Sequence, residues 1–464
     1  MYGFMIPEDF ILGTANSAFQ SEGAQDRDGR SESMMEYYAR EFAGKYKPGL
    51  DPEVAKAQGK LPYSTELCVN GCFFYDNYEA YIEDMKKTGQ DAFRMSLSWP
   101  RIIPTGVGQV NPKGIEFYNK VIDKLLSCGI KPFVDLYHWD LPQCLQEKGG
   151  FANPEFPQWY EDFARVCFEN FGDRVAFWST FNEPDIFVRG GHWSATFPPF
   201  ISDIPRAIQS GHNVVLAHFR AVRLYRQMGF TGQIGTVNCT SAIQPARMVP
   251  EDVDAVAYQY MWRFDWYIEP MIRGCYPQRL IDEVPAIREN MPANYQEELD
   301  RWFAPMDFIG LNYYIPGCTK YDPKHPVLSS AAPSFYTTPG QWNTPYPVGM
   351  LDVLQYIQAR YGDVPVFITE NGCSGFNKHD PEAECEDEER VMYLREHVRM
   401  LVRCIRAGIN LKGYFYWNDA DSYEELDGYN QRFGLTWVDQ TTGERRWKKS
   451  RYFFSDICKT RMVN

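Results

Sequence analysis

The segment "PVFITENG" at residues 365–372 is the clearest guide to the fold, because an apolar, β-branched run leads directly into Glu370 and Asn371. Such a run is typical of a parallel strand that is buried on both faces. The segment "AFWSTFNEP" at residues 176–184 has the same design and ends in Asn182 and Glu183. Because a carboxylate at the end of a buried strand is costly unless it is paired or used, both strand ends are candidates for a functional site.

Six further segments have the same strand-like character and alternate with helical patterns. They lie at residues 10–19, 92–99, 131–139, 233–240, 307–314 and 411–418. Between them, stretches such as "GIEFYNKVIDKLLSCG" repeat apolar residues at the three- and four-residue spacing of an amphipathic helix. Eight strand–helix units in series predict an α/β fold, a single (β/α)8 TIM barrel with long loops at its C-terminal face. A doubly wound open sheet is the alternative, but no GxGxxG follows any of these strands.

Composition narrows the class of protein further. The 464 residues carry a formal net charge of -14, which argues against nucleic-acid binding. The N-terminal sequence lacks the basic start and apolar run of a signal peptide, and no stretch has the apolar length of a membrane span, so we expect a cytoplasmic protein. Cys68 and Cys72 form the one close cysteine pair, without a second pair at zinc spacing, and we expect no metal or cofactor. A homo-oligomer remains open.

Polar residues stand at or near the C-terminal ends of most of these strands, and these ends meet at one mouth of a barrel. Two carboxylates on opposite walls of a pocket with aromatic and amide side chains suggest cleavage of a glycosidic bond. That chemistry requires one protonated and one ionised carboxyl group, so their environments must differ. Arg94 could keep one of them charged by lowering its pKa. The strand-end residues are Gln20, Arg94, His138, Asn182, Glu183, Asn312, Tyr314, Glu370 and Trp417.

The motifs around these residues resemble glycoside hydrolase family 1, the retaining β-glycosidases, over nearly the whole chain. They include "FRMSLSWPRIIPTG", "YHWDLP", "FNEP", "FITENG" and "GYNQRFGLTWVD". The resemblance implies that residues 1–464 form a single catalytic domain. It also implies a small-molecule β-glycoside substrate and a two-step double displacement through a covalent glycosyl-enzyme intermediate.

Carried over position by position, the resemblance implies that Glu370 is the nucleophile and Glu183 the acid/base. Arg94 and Tyr314 would hold the nucleophile. The substrate-binding residues would be Gln20, His138, Asn182, Asn312, Trp417 and Glu424, with Asn182 on the sugar 2-hydroxyl. Trp342 and the long irregular segment at residues 315–347 resemble the wall of the family's aglycone site.

One stretch departs from the family pattern. Residues 421–425 are "DSYEE" where the family usually has "DNFEW", so that Glu425 replaces a tryptophan at the far side of the glycone pocket. Either the enzyme takes an altered, amino-bearing glycone or Glu425 forms a salt bridge with a nearby Arg or Lys. Asp419, Asp421 and Asp427 are expected to shape the loop through local hydrogen bonds to backbone amides. The acidic run at residues 380–390 is expected to be solvated.

The first hypothesis is therefore a retaining β-glycosidase that hydrolyses O-linked β-D-glucosides or related glycosides, and three alternatives remain. A 6-phospho-β-glucosidase is disfavoured, because that branch has Ser, Lys and Tyr where this chain has Glu424, Gln431 and Phe433, and two acids would repel a phosphate. A β-glucosaminidase of the same fold would fit the altered glycone. A non-catalytic sugar-binding relative would be favoured by loss of Glu183 or Glu370, and both are present.

Overall fold

The computed structural model describes residues 4–46, 51–57, 62–323, 345–376, 380–425 and 427–464. Within these ranges, eight parallel strands pair in the order β7-β8-β1-β2-β3-β4-β5-β6 and close into a barrel through β6 and β7. The strands are β1 Ile11–Asn16, β2 Ala92–Ser96, β3 Lys131–Tyr137, β4 Phe177–Asn182, β5 Gln233–Cys239, β6 Ile309–Asn312, β7 Val366–Asn371 and β8 Leu411–Trp417. The predicted (β/α)8 barrel is confirmed.

Helices surround the barrel and bury their apolar stripes against the strands. One main helix follows each strand: α1 Phe74–Thr88, α2 Pro112–Ser127, α3 Phe156–Phe171, α4 Ile204–Gln227, α5 Pro250–Tyr260, α6 Pro347–Tyr361, α7 Glu388–Arg406 and α8 Lys449–Thr460. Shorter helices lie in the connections, at Ala18–Ser21, Met34–Phe42, Pro52–Ala57, Trp99–Ile102, Gln143–Gln146, Gly150–Ala152, Asp185–Trp193, Met261–Asp265, Trp266–Arg273, Gln278–Glu283, Pro285–Arg288, Tyr295–Trp302 and Pro381–Cys385. None of the helices in the described ranges is long and apolar enough to cross a membrane.

Four small two-stranded sheets lie outside the barrel in the described part of the chain. Phe4–Met5 pairs with Met462–Val463, which ties the two ends of the chain together. Ala242–Pro245 pairs with Pro316–Thr319, so that the connections after β5 and β6 lie side by side. The other two pairs are Gly375–Phe376 with Gln431–Arg432, and Thr436–Val438 with Arg445–Trp447.

An aromatic layer fills the barrel below its C-terminal mouth. The ring of Phe133 lies 5.2 Å from that of Phe415, 5.5 Å from that of Phe308 and 5.8 Å from that of Phe367. Because side chains on one face of a strand recur every second residue, Asp135 and Trp417 project one layer above Phe133 and Phe415. The packed rings therefore form the floor on which the polar residues of the mouth stand.

The observed strands are shorter than the predicted ones at their C-terminal ends. The fourth strand ends at Asn182 although the sequence predicted it to residue 184, and Glu183 has a φ of 53°, in the left-handed region. Such a conformation is costly for a residue with a side chain, and it is typical of positions that are constrained by function. The Glu183 amide still donates to the Val237 carbonyl of β5 at 2.8 Å, while the Glu183 side chain lines the cavity.

Two expectations about acidic residues were only partly correct. The run at residues 380–390 is not solvated throughout, since Glu384, Asp387 and Arg390 are buried. Asp387 pairs with Arg390 at 2.5 Å and accepts a 2.6 Å hydrogen bond from the Ser450 hydroxyl, which joins the beginnings of α7 and α8. Because each charge has a partner, burial of these groups is tolerated.

Asp419 and Asp421 likewise do more than shape their own loop. Both are fully buried, and each pairs with a cation from the region of α8. Asp421 lies 2.7 Å from Lys448 Nζ, and Asp419 lies 3.2 Å from an Arg451 nitrogen. One of the expected hydrogen bonds to a backbone amide is present, since the Gly434 amide donates to Asp421 at 3.0 Å. Ion pairs with Lys448 and Arg451 therefore hold the segment that follows β8 against the start of α8.

Candidate active site

A cavity of about 540 Å³ opens at the C-terminal ends of the barrel strands. It brings together nearly all of the side chains that the sequence predicted for the site. Those lining it are Gln20, His138, Asn182, Glu183, Asn312, Tyr314, Glu370, Trp417, Glu424 and Glu425. Arg94 is buried beneath them, and Trp342 lies outside the described residues.

The carboxylate of Glu370, at the end of β7, accepts a strong hydrogen bond on each oxygen. Arg94 donates to Oε1 at 2.6 Å, and the Tyr314 hydroxyl donates to Oε2 at 2.6 Å. Both bonds have the short length of charge-assisted bonds. They stabilise the ionised form of Glu370 and fix its orientation in a water-poor site.

Arg94 is the centre of a buried network that the sequence only partly revealed. Its guanidinium also pairs with Asp135 at 2.6 Å and donates to Asn182 Oδ1 at 2.7 Å. Asp135 was missed by sequence analysis, although a carboxylate inside the apolar segment "KPFVDLYHW" is the signal that could have found it. Asn182 also bonds the His138 ring at 3.0 Å, so the network, with Glu370, connects residues of β2, β3, β4 and β7.

Glu183 has a different environment from Glu370. The Asn312 amide donates a hydrogen bond to Glu183 at 2.7 Å, and among the described residues no other side chain donates to it and no Lys or Arg pairs with it. Burial and then the negative charge of Glu370 raise the pKa of Glu183 to about 8, against the Asn312 bond, which lowers it. Burial thus favours the protonated form of Glu183, whereas Glu370 has a donor on each of its carboxylate oxygens.

The far end of the cavity combines an aromatic face with polar groups. The rings of His138 and Trp417 are stacked with centroids 5.7 Å apart, and the indole N–H of Trp417 donates to Glu424 at 3.3 Å. Burial raises the pKa of Glu424 to about 8, against the Trp417 bond, and the charges of Asp427 and Glu370 add to the increase. Gln20 is fixed by a 2.8 Å bond to the Tyr423 carbonyl. An apolar face beside oriented hydrogen-bonding groups suits a sugar ring.

Glu425 lines the same end of the cavity, and the salt bridge expected for it is not formed with any described Lys or Arg. One of its carboxylate oxygens, Oε1, is buried without a hydrogen-bond partner. Burial and then the charge of Glu424 raise the pKa of Glu425 well above its usual range. The structure therefore places a carboxyl group with an unused acceptor in the pocket, next to a second acid.

Three further charged residues were missed by sequence analysis. Asp185 follows the "NEP" motif and is fully buried, and Arg189 and Arg263 line the cavity beside it. They lie on short helices after β4 and β5. No local sequence pattern indicates this cluster, because Arg263 lies 78 positions from Asp185 along the chain.

Comparisons with known proteins agree with the fold and the cavity. The family model described as "Glycosyl hydrolase family 1" matches residues 3–463. β-Glucosidase A of Thermotoga maritima is 36% identical over 455 residues, covering 98% of this chain and 97% of the relative. The 6-phospho-β-glucosidase GmuD of Bacillus subtilis is 33% identical over 470 residues, covering 98% and 97%.

The solved structures that resemble this chain include complexes with ligands. The Thermotoga maritima family 1 glycoside hydrolase in complex with a cyclophellitol analogue, a transition-state mimic, superposes with a TM-score of 0.91. It is 35% identical, and the match covers 100% of both chains. The β-glucosidase from the same organism in complex with glucoimidazole has a TM-score of 0.89 at 35% identity, covering 99% of each chain.

Proposed function

The chain belongs to glycosyl hydrolase family 1 and is a glycoside hydrolase, and we propose that it acts as a retaining β-glucosidase in which Glu370 is the nucleophile and Glu183 the acid/base. The observation that carries the assignment is the unequal treatment of the two carboxyl groups. Glu370 receives two strong donors at 2.6 Å, whereas burial raises the pKa of Glu183 to about 8. Residues 1–464 would form one catalytic domain.

In the first step, the carboxylate of Glu370 attacks the anomeric carbon while Glu183 gives its proton to the glycosidic oxygen. The carbon–oxygen bond breaks, the aglycone leaves as an alcohol, and the sugar becomes an ester of Glu370. Tyr314 and Arg94 orient the attacking oxygens, so that little reorganisation is needed at the moment of reaction. The mechanism requires the two carboxyl groups to lie about 5–5.5 Å apart.

In the second step, Glu183 acts as a base. Formation of the ester removes the negative charge of Glu370, and this charge is one of the causes that raise the pKa of Glu183. The pKa of Glu183 therefore falls after the first step, and its carboxylate can take a proton from water as the water attacks the anomeric carbon. The bond from that carbon to the Glu370 oxygen breaks, and Glu370 leaves as a carboxylate. The sugar is released with its β configuration restored.

The glycone would be held by the residues at the far end of the cavity. The Trp417 indole offers an apolar face, and Gln20, His138, Asn182, Asn312 and Glu424 offer hydrogen-bonding atoms to hydroxyl groups. A phosphorylated glycone is disfavoured although one relative is named a 6-phospho-β-glucosidase, because Glu424, Gln431 and Phe433 stand where that branch has Ser, Lys and Tyr, and none of the three can supply a positive charge to a phosphate. The unused acceptor of Glu425 favours an amino-bearing glycone as the second candidate.

Proton NMR of the first product released from an aryl β-D-glucoside tests the proposal. The expected result is β-glucose before mutarotation, since two inversions restore the configuration. Mass spectrometry after incubation with an activated 2-deoxy-2-fluoroglucoside should also find the sugar attached to Glu370. Release of α-glucose, or attachment to another residue, would contradict the assignment.

A further inference from the structure

Two arginines on the Glu183 side of the cavity share a single carboxylate. Arg189 binds Asp185 through two bonds, from Nε at 2.7 Å and from Nη2 at 3.0 Å. Arg263 reaches the same carboxylate from Nε at 3.3 Å. The cluster therefore carries one positive charge that Asp185 does not neutralise.

That charge faces the cavity. Asp185 is fully buried, whereas the side chains of Arg189 and Arg263 are 18% and 24% exposed and both line the cavity wall. In the described part of the chain, Nη1 of Arg189 and both Nη atoms of Arg263 have no hydrogen-bond partner. The segments outside the described ranges contain no Asp or Glu, so no acid side chain from them could neutralise the cluster.

The position of the cluster places it on the leaving-group side. The charges of Glu183, Asp185, Arg263 and Arg189 all act on the Cys239 thiol at the end of β5, so the four groups lie around one point. Glu183 is the proposed proton donor to the glycosidic oxygen, and the aglycone extends past it. The glycone end, by contrast, is lined by the carboxyl groups of Glu424 and Glu425.

We propose that the aglycone subsite binds a carboxylate, so that the preferred substrates are β-glucosides whose leaving group is an acid, such as a uronic acid. This inference rests on the proposed function, since it takes Glu183 as the residue that faces the leaving group. Guanidinium groups with free N–H donors bind carboxylates through charge-assisted, often bidentate, hydrogen bonds. A single uncompensated positive charge matches a carboxylate better than a phosphate dianion.

A matched pair of disaccharides tests the proposal in the unmodified enzyme. In one, β-glucose is linked to glucuronic acid; in the other, to glucuronamide, which has nearly the same shape without the charge. We expect kcat/KM for the acid to exceed that for the amide by about tenfold or more, as one charged hydrogen bond would give. Equal values would overturn the proposal while leaving the glucosidase assignment intact. If the enzyme hydrolyses neither the two disaccharides nor an aryl glucoside, both the carboxylate subsite and the glucosidase assignment are overturned.

Variants of Arg263 test whether its guanidinium binds the carboxylate, and a phosphate-bearing substrate tests whether a carboxylate is the preferred anion. Arg263→Gln should reduce the acid-to-amide ratio to near one, and Arg263→Lys, which keeps the charge, should retain part of it. Arg446→Gln is the matched control, because Arg446 is exposed and pairs with Glu444 at 2.8 Å, away from the cavity. A ratio that Arg263→Gln leaves unchanged would overturn the proposal. So would a greater preference for a disaccharide that carries phosphate on its leaving sugar.

Discussion

Arg94 and Glu370 form a direct ion pair at the base of the cavity, with Nη1 of Arg94 2.6 Å from Oε1 of Glu370. Both side chains are almost completely buried, with 1% and 5% exposed. A buried carboxylate is stable in its charged form only when such a partner is present. The pair thus gives the proposed nucleophile a cationic partner, which Glu183 does not have among the described residues.

The first prediction is that Glu370→Gly abolishes turnover of an aryl β-glucoside. Loss of the nucleophile removes the covalent route entirely, and we expect kcat to fall on the order of 10⁴-fold or more. Steady-state release of the phenol measures this. Normal activity in the variant would refute the assignment of Glu370, and unchanged thermal unfolding serves as the control for folding.

Glu183→Ala should lose activity in a different way. Without the acid/base, hydrolysis of the intermediate slows by about 10²–10⁴-fold, since this is the typical contribution of general acid–base catalysis. Added azide is a nucleophile that needs no base, so it should restore turnover and yield β-glucosyl azide. A variant that azide cannot accelerate, or one with normal activity, would contradict the role of Glu183.

The pH profile should report the proton on Glu183. Because the pKa of this group is about 8 and the protonated form is the active acid, kcat/KM should fall as the pH rises through about 8. In the inactive Glu370→Gln variant the neighbouring negative charge is gone, so the pKa of Glu183 should be lower. Carbon NMR titration of labelled Glu carboxyl groups measures it; an equal or higher pKa would be inconsistent with the proposed coupling.

Glu425 should decide the choice of glycone. If its free carboxylate oxygen binds an ammonium group, Glu425→Gln should lower kcat/KM for an amino-bearing aryl β-glycoside more than for the β-glucoside, by about tenfold. Glu425→Trp, which restores the usual family residue, should shift preference in the same direction. A ratio between the two substrates that neither variant changes would exclude this role.

The buried pair below the substrate pocket should be important for stability. Lys448→Met leaves the carboxylate of Asp421 buried without its 2.7 Å partner, which typically costs about 3–5 kcal/mol of unfolding free energy. The double variant with Asp421→Asn should recover part of the loss. The exposed pair of Lys120 with Glu116 is the control, because solvent screens this pair and Lys120→Met should therefore lower the free energy of unfolding much less. Equal effects in denaturant titrations would contradict the prediction.

Much of the fold was predictable from local pattern. Each of the eight predicted segments contains a barrel strand, because buried parallel strands require continuous apolar runs and the helices between them require apolar residues at three- and four-residue spacing. The positions of Glu183 and Glu370 followed from the cost of placing acids at the ends of such strands. The strand ends were less predictable, since the backbone leaves the extended conformation where the cavity begins, as at Glu183 with its φ of 53°.

The sequence by itself thus determined the barrel, the family resemblance and the two carboxyl groups, because these depend on the chemical character of neighbouring residues. Only the tertiary structure decided how the charges are shared. Arg94 serves both Glu370 and Asp135, Arg189 and Arg263 share Asp185, and Glu425 has no ion-pair partner among the described residues. The physical reason is that electrostatic interactions depend on distance in space, and these groups come from strands and loops that are far apart along the chain.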